Sequence, residues 1–241
     1  MSDVTTGTSG GAFRVTLNRP DCGNLVTTGM VHTLTEVLRS VASDVKLVVI
    51  SGNGAAFCKG RDYQTAPESA GKTAPSALAI RERMTGPMMA LYTALRDLPV
   101  PSLSIVQGAA YGFGCALAGA CDMTIASQGA RFRLPEMGRG LPPTLAMSAL
   151  WDRIAPRTIG YLVYSTTELT ALDALVAGLA HSVVPDAELE KSAKTLIETV
   201  CSQPLDAIRA VKEYLKEAPA MPAAARGGYG ASLFAGVLSS R

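Results

Sequence analysis

The chain of 241 residues is short of aromatics, at 5% with one tryptophan, and its formal net charge is only +2. Few rings leave little for base stacking. A near-balanced charge with no lysine-rich helix gives no electrostatic footprint for nucleic acid or a membrane surface. The two histidines, His32 and His181, lie far apart, and the five cysteines (22, 58, 115, 121, 201) are odd in number and scattered. No CxxC pair and no zinc spacing results, so no metal site is expected. Reduced thiols in a cytosolic protein are the expectation. No apolar run approaches the ~20 residues of a membrane span. Met1 to Gly11 is small and polar, without the basic and apolar regions of a signal peptide, so none is expected. No internal repeat of about 20–50 residues is visible.

What remains is a globular composition, 48% apolar and 17% charged, ample for a sizeable core in one large domain or a core with an appendage. Phe13 to Leu17 alternates like a strand and stops at Asn18-Arg19-Pro20. Thr27 to Val41 spaces Met30, Val31, Leu34, Val37, Leu38 and Val41 as an amphipathic helix. Lys46 to Gly52 and Pro101 to Val106 are buried strands, with a helix at Thr85 to Leu98 between them. A helix from about Gly114 to Cys121 and a strand at Asp122 to Ala126 follow. Strands alternating with helices imply βαβ units. Leu141-Pro142-Pro143-Thr144 opens a further helix. From Asp186 the pattern is helical, at Ala187–Val200 and Pro204–Lys216. Ala223 to Gly230 reads as small and flexible. The chain thus divides into a core of residues 1–185 and a helical region of residues 186–241 whose last helix is short or missing. Thr65 to Ala77 reads as a loop.

Two glycine-punctuated turns carry the chemistry. One is Ala56-Phe57-Cys58-Lys59-Gly60-Arg61-Asp62; the other is Gly108-Ala109-Ala110-Tyr111-Gly112-Phe113-Gly114. Each closes an apolar run. The backbone N–H of Arg61 is one candidate donor. The N–H of Phe113, at a helix N-terminus where partial positive charge gathers, is the second. Two such amides aimed at one point form an oxyanion hole. Either turn alone is more often an ordinary structural turn. Glu136, in Leu134-Pro135-Glu136-Met137-Gly138, is a candidate acid/base beside apolar neighbours that would raise its pKa. Its alternative is a loop carboxylate paired with Arg133 or Arg139. Cys115 reads as packing rather than a nucleophile, and no Ser-His-Asp arrangement is present.

These residues carry a family resemblance. Leu17-Asn18-Arg19-Pro20, the 57–62 turn, Gly108 to Ala118 with Cys121-Asp122, Phe132-Arg133-Leu134-Pro135-Glu136 and Ala171 to Val184 occur in the order seen in the enoyl-CoA hydratase/isomerase (crotonase) superfamily. The resemblance implies an α/β spiral of ββα units with a C-terminal helical region. It implies an acyl-CoA (or acyl-phosphopantetheine) thioester as substrate and no permanently bound cofactor, coenzyme A arriving as part of the substrate. The amides of Arg61 and Phe113 become the donors to an enolate oxygen. Cys22, Asn24, Lys59, Arg61, Asp62, Tyr63 and Gly112 become the residues around coenzyme A. A homotrimer or dimer of trimers in the cytoplasm is implied as well.

The departures narrow the chemistry. Hydratases of this family carry a glutamate in the first turn after the glycines, where this chain has Ala116; the second glutamate matches Glu136. Arg61 and Phe113 are large where the family is usually small. One carboxylate suffices to move a proton between two carbons of an allylic system, as the family's Δ3,Δ2-enoyl-CoA isomerases do, so isomerisation is the expected reaction. Hydration by a one-glutamate variant and C–C bond chemistry on an enolate stand behind it. A non-catalytic acyl-CoA-binding member is the rival from another class.

Overall fold

The computed structural model describes residues 2–62 and 76–240. Its main sheet has six strands, with spatial order β1-β2-β3-β4-β6-β9. β1 (Val4–Ser9) and β2 (Ala12–Leu17) form an antiparallel hairpin. Its two-residue turn, Gly10-Gly11, has φ of +60° and +83°, the mirror-image turn that glycine permits and strand twist favours. β1 was not expected. Its outer face is Thr, Gly and Ser, nearly all exposed, as befits an edge strand. β3 (Leu47–Gly52) and β4 (Ser102–Val106) continue in parallel. Both are buried almost throughout, which is why they read as unbroken apolar runs. β5 (Ala109–Tyr111) leaves for a second sheet, of order β5-β7-β8; β6 (Met123–Ser127) returns to the first. β7 (Arg131–Arg133), β8 (Leu169–Thr170) and β9 (Ser182–Val184) complete the set.

The first helices fill one face. α1 (Thr28–Arg39) begins where the Thr27 hydroxyl accepts from the Met30 N–H, and it buries Met30, Val31, Leu34 and Leu38; an N-cap of this kind stabilises a helix by about 1 kcal/mol. A short α2 (Ala77–Ile80) runs through a π-helical turn into α3 (Gly86–Arg96). α4 (Phe113–Ala120) has every residue buried. α5 (Thr144–Leu150), α6 (Pro156–Ser165) and α7 (Ala171–Ala177) follow. Most of the sequence-expected loop at 65–77 lies outside the described residues.

The other face is closed by α8 (Leu189–Cys201), whose Leu189, Ala193 and Ile197 pack on Leu47, Val49, Leu103, Ile105 and Ile125. The region from 186 onward is helical, as the sequence suggested, and its first helix covers the sheet face that would otherwise meet water. α9 (Leu205–Glu217) is anchored by Lys212, 5% exposed, whose ammonium lies 2.7 and 2.8 Å from the two oxygens of Asp122.

One correction concerns the chain end. Residues 223–230 are helical, and the last helix is not short: α10 (Ala223–Ser239) has 17 residues. Gly227, Gly228 and Gly230 signal a break, but the helix is held by contacts to α9 and its end. Tyr229 stacks on Tyr214 at 6.0 Å and donates to Glu213 at 2.7 Å, and Arg226 donates to the Ala218 carbonyl. No residue of α10 is buried.

Candidate active site

The 56–62 turn is stitched on both sides. Toward the N-terminal loop, Lys59 N–H donates to the Gly23 carbonyl, Val26 to Gly60, and Asp62 to Val26. Toward the other turn, Phe57 N–H donates to Gln107, Cys58 to Ala109, and Tyr111 back to Cys58. Gly112 N–H then donates to Arg133 of β7 at 2.8 Å. Two segments distant in sequence are locked edge to edge by main-chain bonds, so the backbone at 58–61 and 111–114 has one arrangement.

Glycine makes that approach physically possible. A Cβ at Gly114 would collide with the Cys58 carbonyl. Gly112 has φ +52°, ψ −114°, a conformation that side chains resist. It caps α4 with no side-chain hydrogen bond, so Phe113 opens the helix with an N–H that has no intrahelical acceptor. The positive end of the helix dipole lies there.

Glu136 opens a 3-10 turn after β7 and comes to the same place. Its Oε1 lies 2.7 Å from where a Gly112 Cβ would be. Its Oε2 is buried with no hydrogen-bond partner among the described residues. Burial pushes the carboxyl above its ordinary range, against the opposing pull of its own backbone N–H and of Arg139. No ion pair to Arg133 or Arg139 forms within 4.0 Å among the described residues; Arg133 instead donates to the Thr166 carbonyl at 2.7 Å. The paired-carboxylate alternative is thereby removed. A half-buried, proton-favouring carboxyl beside a helix N-terminus suits acid/base work.

The other sequence-proposed residues divide. Arg61 directs its guanidinium to the Thr28 hydroxyl at 3.0 Å, at the start of α1. Lys59 is exposed and lays its stem across Gly23. Cys22 is half-buried, with its thiol toward the Arg19 carbonyl. Tyr63 lies outside the described residues. Two of them have structural bonds of their own. Asn24 is completely buried at φ +57°. Its amide donates to Asn53 and Ala56 and its oxygen accepts from Arg19 N–H, so it braces the turn. Asp62 has an 8% exposed side chain and ion-pairs with Arg19 at 2.9 Å, a brace of the same kind.

The residues packed around the two turns are largely apolar. Cys58 and Cys115 are fully buried, and burial pushes both thiols up to about 12; they are packing groups, as expected of Cys115. Ala116 is also fully buried. The Phe113 ring is 4% exposed and stacks on Tyr92 of α3, centroids 6.4 Å apart at 24°. Tyr92 had no sequence signal, because it sits in the ordinary buried stripe of α3 beside Met88, Leu91 and Leu95.

Known proteins resemble the chain in sequence and in structure. The family model described as "Enoyl-CoA hydratase/isomerase" matches residues 7–236. The 2,3-dehydroadipyl-CoA hydratase of Escherichia coli is 30% identical over 221 residues, 90% of this chain and 83% of its own. The carnitinyl-CoA dehydratase of Proteus mirabilis is 31% identical over 210 residues, 86% and 77% of the two chains. A Thermobifida fusca structure, described as "a putative enoyl-CoA hydratase" in complex with CoA, superposes with a TM-score of 0.89 at 28% identity, covering 99% and 93%.

Proposed function

The chain belongs to the enoyl-CoA hydratase/isomerase family and is an enzyme of the crotonase fold; from that premise we propose that it shifts a double bond in an enoyl-CoA from Δ3 to Δ2. The thioester oxygen lies between the N–H groups of Arg61 and Phe113. Glu136, as carboxylate, removes a proton from C2. Charge passes to the thioester oxygen as a dienolate, and the amides stabilise it. The protonated Glu136 then returns the proton at C4, leaving the C2=C3 bond. One donor of such a pair typically lowers the barrier by ~2.7–4 kcal/mol, and a positioned acid/base contributes about 10²–10⁴ in rate.

One observation carries the choice of reaction: the Glu136 carboxyl beside Gly112 has no carboxylate partner among the described residues, and position 116 offers only a buried methyl. Syn hydration of an enoyl thioester asks for two groups to hold the water. Isomerisation asks for one proton carrier. Lys59 and Arg61 supply positive charge for coenzyme A, and Cys22 and Gly112 border its thioester end. A homotrimer in the cytoplasm completes the reading; it is supported by an α10 that buries nothing within its own chain and leaves Phe234 and Leu238 66% and 52% exposed.

The test supplies 3-enoyl-CoA and 2-enoyl-CoA separately and follows conjugation and hydration. Conjugation that drops by about 10²–10⁴ in Glu136→Gln is the expected outcome. Conjugation unaffected by the substitution, or thioester binding with no turnover of any acyl chain, contradicts the proposal.

A further inference from the structure

The chain has three asparagines, Asn18, Asn24 and Asn53, and they are linked at the foot of the 56–62 turn. The Asn53 side-chain amide donates to Asn18 Oδ1 at 2.8 Å. The Asn24 amide donates to the main-chain carbonyls of Asn53 at 2.9 Å and Ala56 at 2.8 Å. Asn24 is completely buried, whereas Asn53 is exposed. Asparagine is a thermolabile residue, and the three differ in what guards them.

Asn53 alone is followed by glycine. Gly54 is exposed at φ +83°, and its N–H makes no hydrogen bond among the described residues. That nitrogen has neither a hydrogen bond nor a side chain to keep it from the Asn53 side-chain carbonyl carbon. Asn18 is followed by Arg19, whose N–H is engaged by Asn24 Oδ1 at 2.8 Å. Asn24 is followed by Leu25 and is itself held by all three side-chain bonds away from water.

We propose that Asn53-Gly54 is a site of deamidation through a cyclic imide, and that the isoaspartate it leaves deforms the 56–62 turn. The Gly54 nitrogen attacks Asn53 Cγ, and its proton leaves with the side-chain NH2 as ammonia. One water then opens the ring. Opening at Cγ gives aspartate; opening at the main-chain carbonyl gives isoaspartate. Either way asparagine and water become a carboxylic acid and ammonia, with no oxidant or reductant.

Isoaspartate threads the main chain through Cβ and Cγ, one methylene longer, and turns the former main-chain carbonyl into a carboxylate. The segment has no slack for it. A Cβ at Gly52 would collide with the Phe57 carbonyl, and one at Gly54 would lie 2.8 Å from Pro20 Cβ. The carbonyl that moves is one of the two that Asn24 holds. A buried amide that loses its acceptor is destabilising, and the lengthened chain leads directly into Ala56. The consequence for turnover rests on the Arg61 N–H being an oxyanion donor; the modification itself does not.

The protein is held in warm, mildly alkaline buffer, then digested and mapped by mass spectrometry, with an isoaspartyl methyltransferase as probe for the isomer. Conversion at Asn53 to isoaspartate, with Asn18 and Asn24 intact, is the expected result. An unchanged Asn53, or three sites that change at like rates, overturns the proposal. The isoaspartate form, more acidic than the parent, is separated by ion exchange and compared with the parent and with Asn53→Asp, which has the same charge on a chain of normal length. It is expected to melt below both and to turn over about 10²–10³ more slowly, the effect of one lost oxyanion donor. An isoaspartate form that melts with the parent overturns the predicted deformation. Asn53→Ser, which cannot form the ring, keeps its melting temperature through the same treatment. Melting is read without substrate, so failure of the isomerase reading, which removes turnover from every form, is told apart from failure of this one.

Discussion

At the scale of single residues, Glu136 carries a cost that function explains. Its folded-state carboxyl favours the proton because burial penalises the charge. Such a group contributes stability that is complete below its unfolded pKa and is lost as pH rises through the folded value. At neutral pH the ionised side chain therefore opposes folding. Glu136→Gln is expected to melt no lower than the parent at pH 7, with its relative advantage shrinking as pH falls below the carboxylate range. Thermal melts across pH check this, and a variant that is less stable at pH 7 than at pH 4 relative to the parent contradicts it. A stability gain bought with lost activity marks a site residue. The glycines and Glu136 were legible because their chemistry is unique to the residue type. The bracing bonds of Asn24 and Asp62 were not legible. A sequence places them beside the motif but does not say that Asn24 turns inward at positive φ, or that Arg19 reaches Asp62 from the strand end. Tyr92 was illegible, since a tyrosine on a buried helix stripe looks the same whichever ring it stacks on.

At the scale of elements, α9 depends on one buried ion pair. Burial would raise the Asp122 carboxyl, but Lys212, the Ser102 N–H and Arg153 outweigh it and hold it below the ordinary range. With its side chain 11% exposed and that of Lys212 5% exposed, removing Lys212 leaves a largely buried carboxylate balanced only by the more exposed Arg153, 3.3 Å away. Lys212→Met is expected to destabilise by about 3–5 kcal/mol, and adding Asp122→Asn to recover much of the loss. Denaturant unfolding of the single and double variants decides it; a double variant as unstable as the single overturns it. The long helices and inner strands were legible from periodicity. β1 was not, because an exposed edge strand of Thr, Gly and Ser has no apolar face. α10 was not, because its glycines outweighed contacts with α9 that only the fold supplies.

At the scale of the whole molecule, the chain brings two turns and one carboxylate together from three separate stretches. β3 and β4 lie side by side in the main sheet, so the turn after β3 meets β5 and the start of α4. β7 pairs with β5 and delivers Glu136 to the same edge. That convergence depends on sheet order, which local patterns do not encode; only the family resemblance made it readable from sequence. A sizing measurement in solution tests the proposed assembly, with three times 25.0 kDa expected and a monomer contradicting it. The central claim is tested most directly by a crystal structure of the protein with a non-reactive acyl-CoA analogue bound. The account predicts the thioester oxygen about 2.7–3.1 Å from both the Arg61 and Phe113 nitrogens, with the Glu136 carboxyl against C2. A thioester oxygen that meets neither amide, or a carboxyl turned away from the acyl chain, would contradict it.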